Sequence, residues 1–181
     1  MKKIIAILMA ALMLVSFAAC TKTTVDEEVS TDADVQNVVD EETSEAAAAG
    51  SVADALAEEF MNLAATAADA QAIADALAAS SVVSAIGPAT MPVEEGFLTG
   101  FDNAEIKGFD AAVMFAPMIG TIPFVGYVFD LAEGTDAAAF VQTLEDNANL
   151  RWNICTMADE MATATEGEYV FFVMAPASLE A

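Results

Sequence analysis

Histidine is absent from this chain, arginine and tryptophan occur once each, and cysteine occurs twice. Each shortage excludes chemistry. Nucleophilic catalysis by cysteine normally needs a histidine base, and one spare thiol with no imidazole cannot supply a zinc set. Calcium requires an oxygen cluster such as a D-x-D-x-D-G loop, and no such loop occurs. Neither a metal nor a cofactor is expected. Cations are scarce too: 5 Lys and Arg stand against 29 Asp and Glu. Phosphate backbones are bound by clustered Lys and Arg that displace counterions, so nucleic acid is excluded as a direct partner. The same charge opposes a domain lying flat on anionic lipid. Compatible partners are cationic or neutral: basic protein surfaces, divalent cations, peptidoglycan amines or another apolar face.

Long apolar runs are lacking except at the start. MKKIIAILMAALMLVSFAAC opens with two lysines, continues without a charge from Ile4 to Ala19 and ends in small residues before Cys20. That order reads as a secretory signal. It falls short of the roughly 20 apolar residues that a spanning helix needs, so residues 1–19 are expected to be a cleaved signal peptide. The junction Phe17-Ala18-Ala19-Cys20 resembles the lipobox of bacterial lipoproteins, with Phe17 in place of that family's usual Leu. The resemblance implies cleavage before Cys20, a diacylglyceryl thioether on its sulfur, and attachment to the outer side of the cytoplasmic membrane. Two acyl chains hold a protein durably, whereas one gives only marginal binding.

Loss of the signal leaves Lys22, Lys107 and Arg151 as the cations facing all 29 acids. With Cys20 lipidated, Cys155 is the only free thiol and no intramolecular disulfide can form. Small exported domains often depend on disulfides, so this one is expected to rely on its core alone.

Residues 20–49 combine the lipidated cysteine with Thr, Ser, Val, Ala and acid, including Asp26-Glu27-Glu28 and Asp40-Glu41-Glu42. Large apolar side chains are missing, so little there offsets the entropy of folding. The segment is expected to be an acidic, disordered tether, spanning roughly 30 Å as a flexible coil.

Residues 50–181 suffice for a single α+β domain. The expected architecture is an antiparallel sheet of about four to five strands with two or three helices. Ser51 and Asp54 form a capping signal ahead of Val52, Leu56, Phe60 and Leu63 at helical spacing. A second helical piece starts near Asp69 and places Ile73 and Leu77 on one face; the two could be one helix, with a break near Thr66. Gly87-Pro88, Met91-Pro92 and Gly96 punctuate an expected loop. Ala111–Ala116 and Phe124–Leu131 read as neighbouring strands, and Met161–Thr165 with Glu168–Met174 as a hairpin turning at Glu166-Gly167. Between these strand pairs, Thr135 is expected to cap a helix running to about Asn147. Several strands are apolar on both faces, which requires cover on both sides. Any face left over would be a partner or self-association site.

The chain also echoes itself. DAQAIADAL (69–77) parallels DAAAFVQTL (136–144), and GFDAAVMFAP (108–117) parallels GEYVFFVMAP (167–176). A true duplication would make two α-β-β halves sharing one sheet, with Phe124–Leu131 added.

Arg151, Trp152 and Cys155 fall within five positions in NLRWNICTMADEM. No base is available to activate the thiol, so the expectation is a structural junction or partner contact: a buried Cys155, an anchoring Trp152, and Arg151 paired with an acid such as Asp146. This stretch and IGTIPFVGYVF are similar to segments of small uncharacterised lipoproteins of anaerobic Gram-positive bacteria, a resemblance that implies no activity and supplies no functional residues. The reading that emerges is a lipid-anchored extracytoplasmic binding or accessory protein without catalytic activity. The alternative is a cell-envelope hydrolase using paired carboxylates.

Overall fold

The computed structural model of the protein describes residues 50–179. The expected signal, Cys20 and the tether lie outside the described residues. Among those described are three α-helices, a five-stranded antiparallel sheet and a two-stranded ribbon, the α+β class expected from the sequence.

Ser51 caps α1 (Val52–Ala64) as its spacing predicts, its hydroxyl accepting the Asp54 N–H at 3.2 Å. The chain then turns, with the Thr66 N–H donating to the Leu63 carbonyl, so the helical pieces are separate. Asp69 caps α2 (Ala70–Ala78) by accepting the Ala72 N–H at 2.8 Å. The segment expected to be a loop instead forms β1 (Pro88–Val93). Its prolines mislead because Pro is compatible with an edge strand, where one side of the ladder is unpaired. Gly96–Phe97 (β2) and Glu105–Ile106 (β3) make the ribbon. Phe109–Pro117 (β4) and Val125–Leu131 (β5) are the expected neighbouring strands.

The helix α3 (Ala137–Asn147) begins one residue later than expected. Asp136 is its cap, accepting the Ala139 N–H at 2.9 Å, because the Thr135 hydroxyl donates to the Gly108 carbonyl instead. The last two strands, β6 (Glu160–Glu166) and β7 (Tyr169–Ala175), form the expected hairpin about Gly167.

The sheet order is β1-β4-β5-β7-β6. On one face, α1 and α2 bring Leu56, Phe60, Ile73 and Leu77 against Val113, Phe115, Val128, Phe171 and Val173. On the other, α3 brings Phe140 and Leu144, and the segment around β3 brings Phe101 and Ile106, against Tyr127, Phe129, Phe172 and Met174. Each such side chain contributes roughly 1.5–3 kcal/mol by leaving water. Both faces of the central strands are covered by the chain's own elements, while Met91 on β1 and Met161 on β6 remain partly exposed.

The internal echo has a geometric counterpart. The halves α2-β1-β4 and α3-β6-β7 flank β5, with β4 and β7 running in the same direction on either side of it. Equivalent residues point to opposite faces: Ile73 and Phe115 into the first core, Phe140 and Met174 into the second. A half-turn about the β5 direction produces that exchange. The two capping aspartates, Asp69 and Asp136, correspond under it as well.

Candidate functional site

At one end of the sheet, two loops stand side by side. The first joins β4 to β5 and contains Met118-Ile119-Gly120-Thr121; the second, residues 148–159, joins α3 to β6. The Asn153 side-chain amide donates to the Gly120 carbonyl at 2.9 Å and ties them together. The second loop is fixed further by distant partners, the Asn149 N–H donating to the Gly100 carbonyl at 2.8 Å and its side chain to Asp102, and by a bond of its own, the Ala158 N–H donating to the Leu150 carbonyl at 2.9 Å. Gly100 sits at φ +97°, and a Cβ there would collide with the Met174 side chain. That positive φ is one that L side chains rarely adopt, which favours glycine here.

RWNIC lies in this second loop, and the structure changes its expected roles. Cys155 is exposed rather than buried, because the loop's bonds to Gly100, Asp102 and Gly120 hold it across the end of the sheet. Arg151 is exposed and, among the described residues, has no carboxylate within ion-pair distance; the ion pair found there is Lys107–Glu105, at 2.6 Å. Trp152 does anchor the loop, half-buried against the core formed by Phe101, Tyr127, Phe172 and Met174. Its Nε1 and the Thr156 Oγ1 are buried without a hydrogen-bond partner among the described residues.

Sequence reasoning missed the loop tips. Ile154 is 98 % exposed, Met118 83 % and Ile119 74 %, the three most exposed large apolar side chains among the described residues; Met157 beside them is 47 % exposed. Arg151, Ile154, Cys155, Thr156 and Met157 help line a shallow hollow of about 260 Å³. A signal for these tips was present in the sequence: between Asp110 and Asp130, and again between Asp146 and Asp159, Arg151 is the sole charged residue. Acids closer to the sheet at this end are engaged by donors. Asp102 accepts from Asn149, Asp159 from the Ala177 N–H and Glu160 from the Ala53 N–H.

The opposite end is acidic. Glu94 and Glu95 follow β1, Asp110 opens β4, Asp130 and Glu133 lie at the end of β5, and Glu166 and Glu168 flank the last hairpin turn. Burial first, then the charges of Glu168, Asp110 and Asp69, push the Asp130 carboxyl above the usual carboxylate range. Among the described residues, no group of three or more His, Cys, Asp or Glu is placed to hold a metal ion. No family model, curated protein or solved structure matches the chain.

Proposed function

We propose that this protein is a lipid-anchored, extracytoplasmic binding or accessory protein, held through Cys20 and working by contact rather than catalysis. The supporting observation is the pair of tied loops whose most prominent side chains, Met118, Ile119 and Ile154, are apolar and almost fully in solvent. Apolar groups displayed this way are stabilised by contact with another surface. The test has two arms. Mass spectrometry of the mature N-terminus should show a diacylated Cys20, and an unmodified terminus refutes the anchor. Crosslinking in intact cells should yield a reproducible neighbour of the loop end; its absence, together with turnover of an envelope polymer, refutes the binding reading.

The rival reading, a hydrolase using paired carboxylates, draws on Asp130 beside Glu168, since a carboxyl held above its ordinary range near a second acid resembles an acid–base pair. Loss of polymer turnover in Asp130→Asn, with folding intact, would establish it.

A further inference from the structure

The domain is polar along its strands, and the point where the chain enters it gives that polarity a direction. The Ala53 N–H, in the first turn of α1, donates to Glu160 Oε1 at 3.1 Å, and Glu160 opens β6 beside Ala175, where β7 ends. Val125, which opens β5, pairs with Met174 at the same end. The first turn of α1, where the described chain begins, therefore lies at the end that carries the charge-free loop tips. Glu133, Glu166 and Glu168 lie at the far end of the strands.

We propose that this loop end docks on the lipid bilayer: Met118, Ile119 and Ile154 seat in the boundary between headgroups and acyl chains, Arg151 meets lipid phosphate, and the acidic end points away. This rests on the anchored reading above. An acidic domain is repelled when it lies flat on anionic lipid, but standing on these loops it turns the uncharged tips and Arg151 to the surface while Glu133, Glu166 and Glu168 face away; Asp102, which lines a hollow with Arg151, is the acid kept beside that cation. Apolar side chains at a membrane surface bind in proportion to the area that they bury. Anchoring through Cys20 raises their effective concentration at the bilayer, so even a weak contact is populated. A partly buried Trp152 next to the tips suits that boundary, where an apolar ring and a polar N–H are both accommodated.

Cys155, exposed beside Ile154, is a natural labelling position. The full chain, purified from membranes of cells that process it, would carry an environment-sensitive fluorophore on Cys155 and be placed on phosphatidylethanolamine–phosphatidylglycerol vesicles. A second preparation, Cys155→Ser with Glu133→Cys, labels the far end. Docking predicts a blue-shifted Cys155 probe, quenched by lipids brominated near the headgroup, beside an unaffected Glu133→Cys probe. Met118→Asp with Ile154→Asp should weaken the probe's lipid contact at least about tenfold, the loss of two buried apolar side chains, while the protein still floats with the vesicles. Two probes that both report water on a chain that floats would overturn docking and leave the anchor standing. A chain that proves unlipidated by mass fails the anchor separately, and its Cys155 probe, water-like with vesicles present, would overturn docking too. A blue shift without vesicles that grows with protein concentration would assign the tips to a second copy and likewise overturn the proposal.

Discussion

The ring of Phe115 lies over Gly126, its cross-strand partner in β5, and fills the space that a Cβ at Gly126 would need. Phe115 is also within aromatic contact of Phe124 and Phe171, at centroid distances of 5.7 and 6.4 Å, so it cannot swing aside without disturbing the first core. Gly126→Ala should destabilise the domain by about 1–3 kcal/mol, the cost of overpacking. A urea titration should show a lower midpoint with an unchanged slope. Pairing it with Phe115→Leu should cost less than the sum of the single changes, since the smaller side chain leaves room for the new methyl group.

Tyr127 predicts an alkaline limit on stability. Its hydroxyl donates to the Thr99 carbonyl at 2.8 Å, and burial raises its ionisation well above that of a free phenol despite that bond. Because the folded form holds the proton more tightly, the contribution is fully present below pH about 10, the unfolded value. It is lost as pH rises towards the folded value. Tyr127→Phe should cost about 1 kcal/mol at neutral pH and flatten most of the alkaline decline in denaturation midpoints. A smaller residual slope is expected from Tyr169, raised chiefly by desolvation and then by Asp130 and Glu168.

At Asp130 the expectation concerns acid. Its raised carboxyl means that the native state prefers the proton, so its contribution is favourable below the unfolded value near pH 4 and is lost as pH rises through the folded value. Asp130→Asn should therefore stabilise the domain at neutral pH. Solvent screening limits the gain to a few tenths of a kcal/mol, and added salt should shrink it. The difference between variant and wild type should vanish at low pH; destabilisation at neutral pH would contradict this account.

Cys155 should react with iodoacetamide in the native protein about as readily as in urea, as peptide mapping of the alkylated residue would show. Cys155→Ser should leave stability within about 0.5 kcal/mol, as is usual for exposed positions. Slow native alkylation would mean that the loop closes over the thiol.

The strands most legible in the sequence were those whose composition admits no alternative. Tyr127, Phe129, Phe171 and Phe172 need cover on two sides, and the sheet's central strands provide such places. Helix starts were readable from Ser51 and, within one residue, from Thr135; the shift to Asp136 follows from a distant acceptor, the Gly108 carbonyl, that local pattern cannot reveal. β1 was hidden by Pro88 and Pro92, which read as loop residues unless the strand's edge position is known. At the candidate site, the burial of Cys155 and the pairing of Arg151 were misread for a similar reason. Arg151, Trp152 and Cys155 are rare residues close together, which suggested a structural junction or a partner contact, but only Trp152 points inward. What turns Cys155 and Ile154 outward is a set of bonds from Asn149 and Asn153 to Gly100, Asp102 and Gly120, 33 to 49 residues earlier in the chain.

The two edge strands decide how copies of this domain behave when crowded. One, β1, presents prolines at 88 and 92; the other, β6, has a glutamate at each end, Glu160 and Glu166. A neighbour seeking to extend the sheet meets missing donors on one side and like charge on the other. The domain can thus be packed densely without its sheets fusing into fibrils, and contact between copies is steered away from backbone pairing.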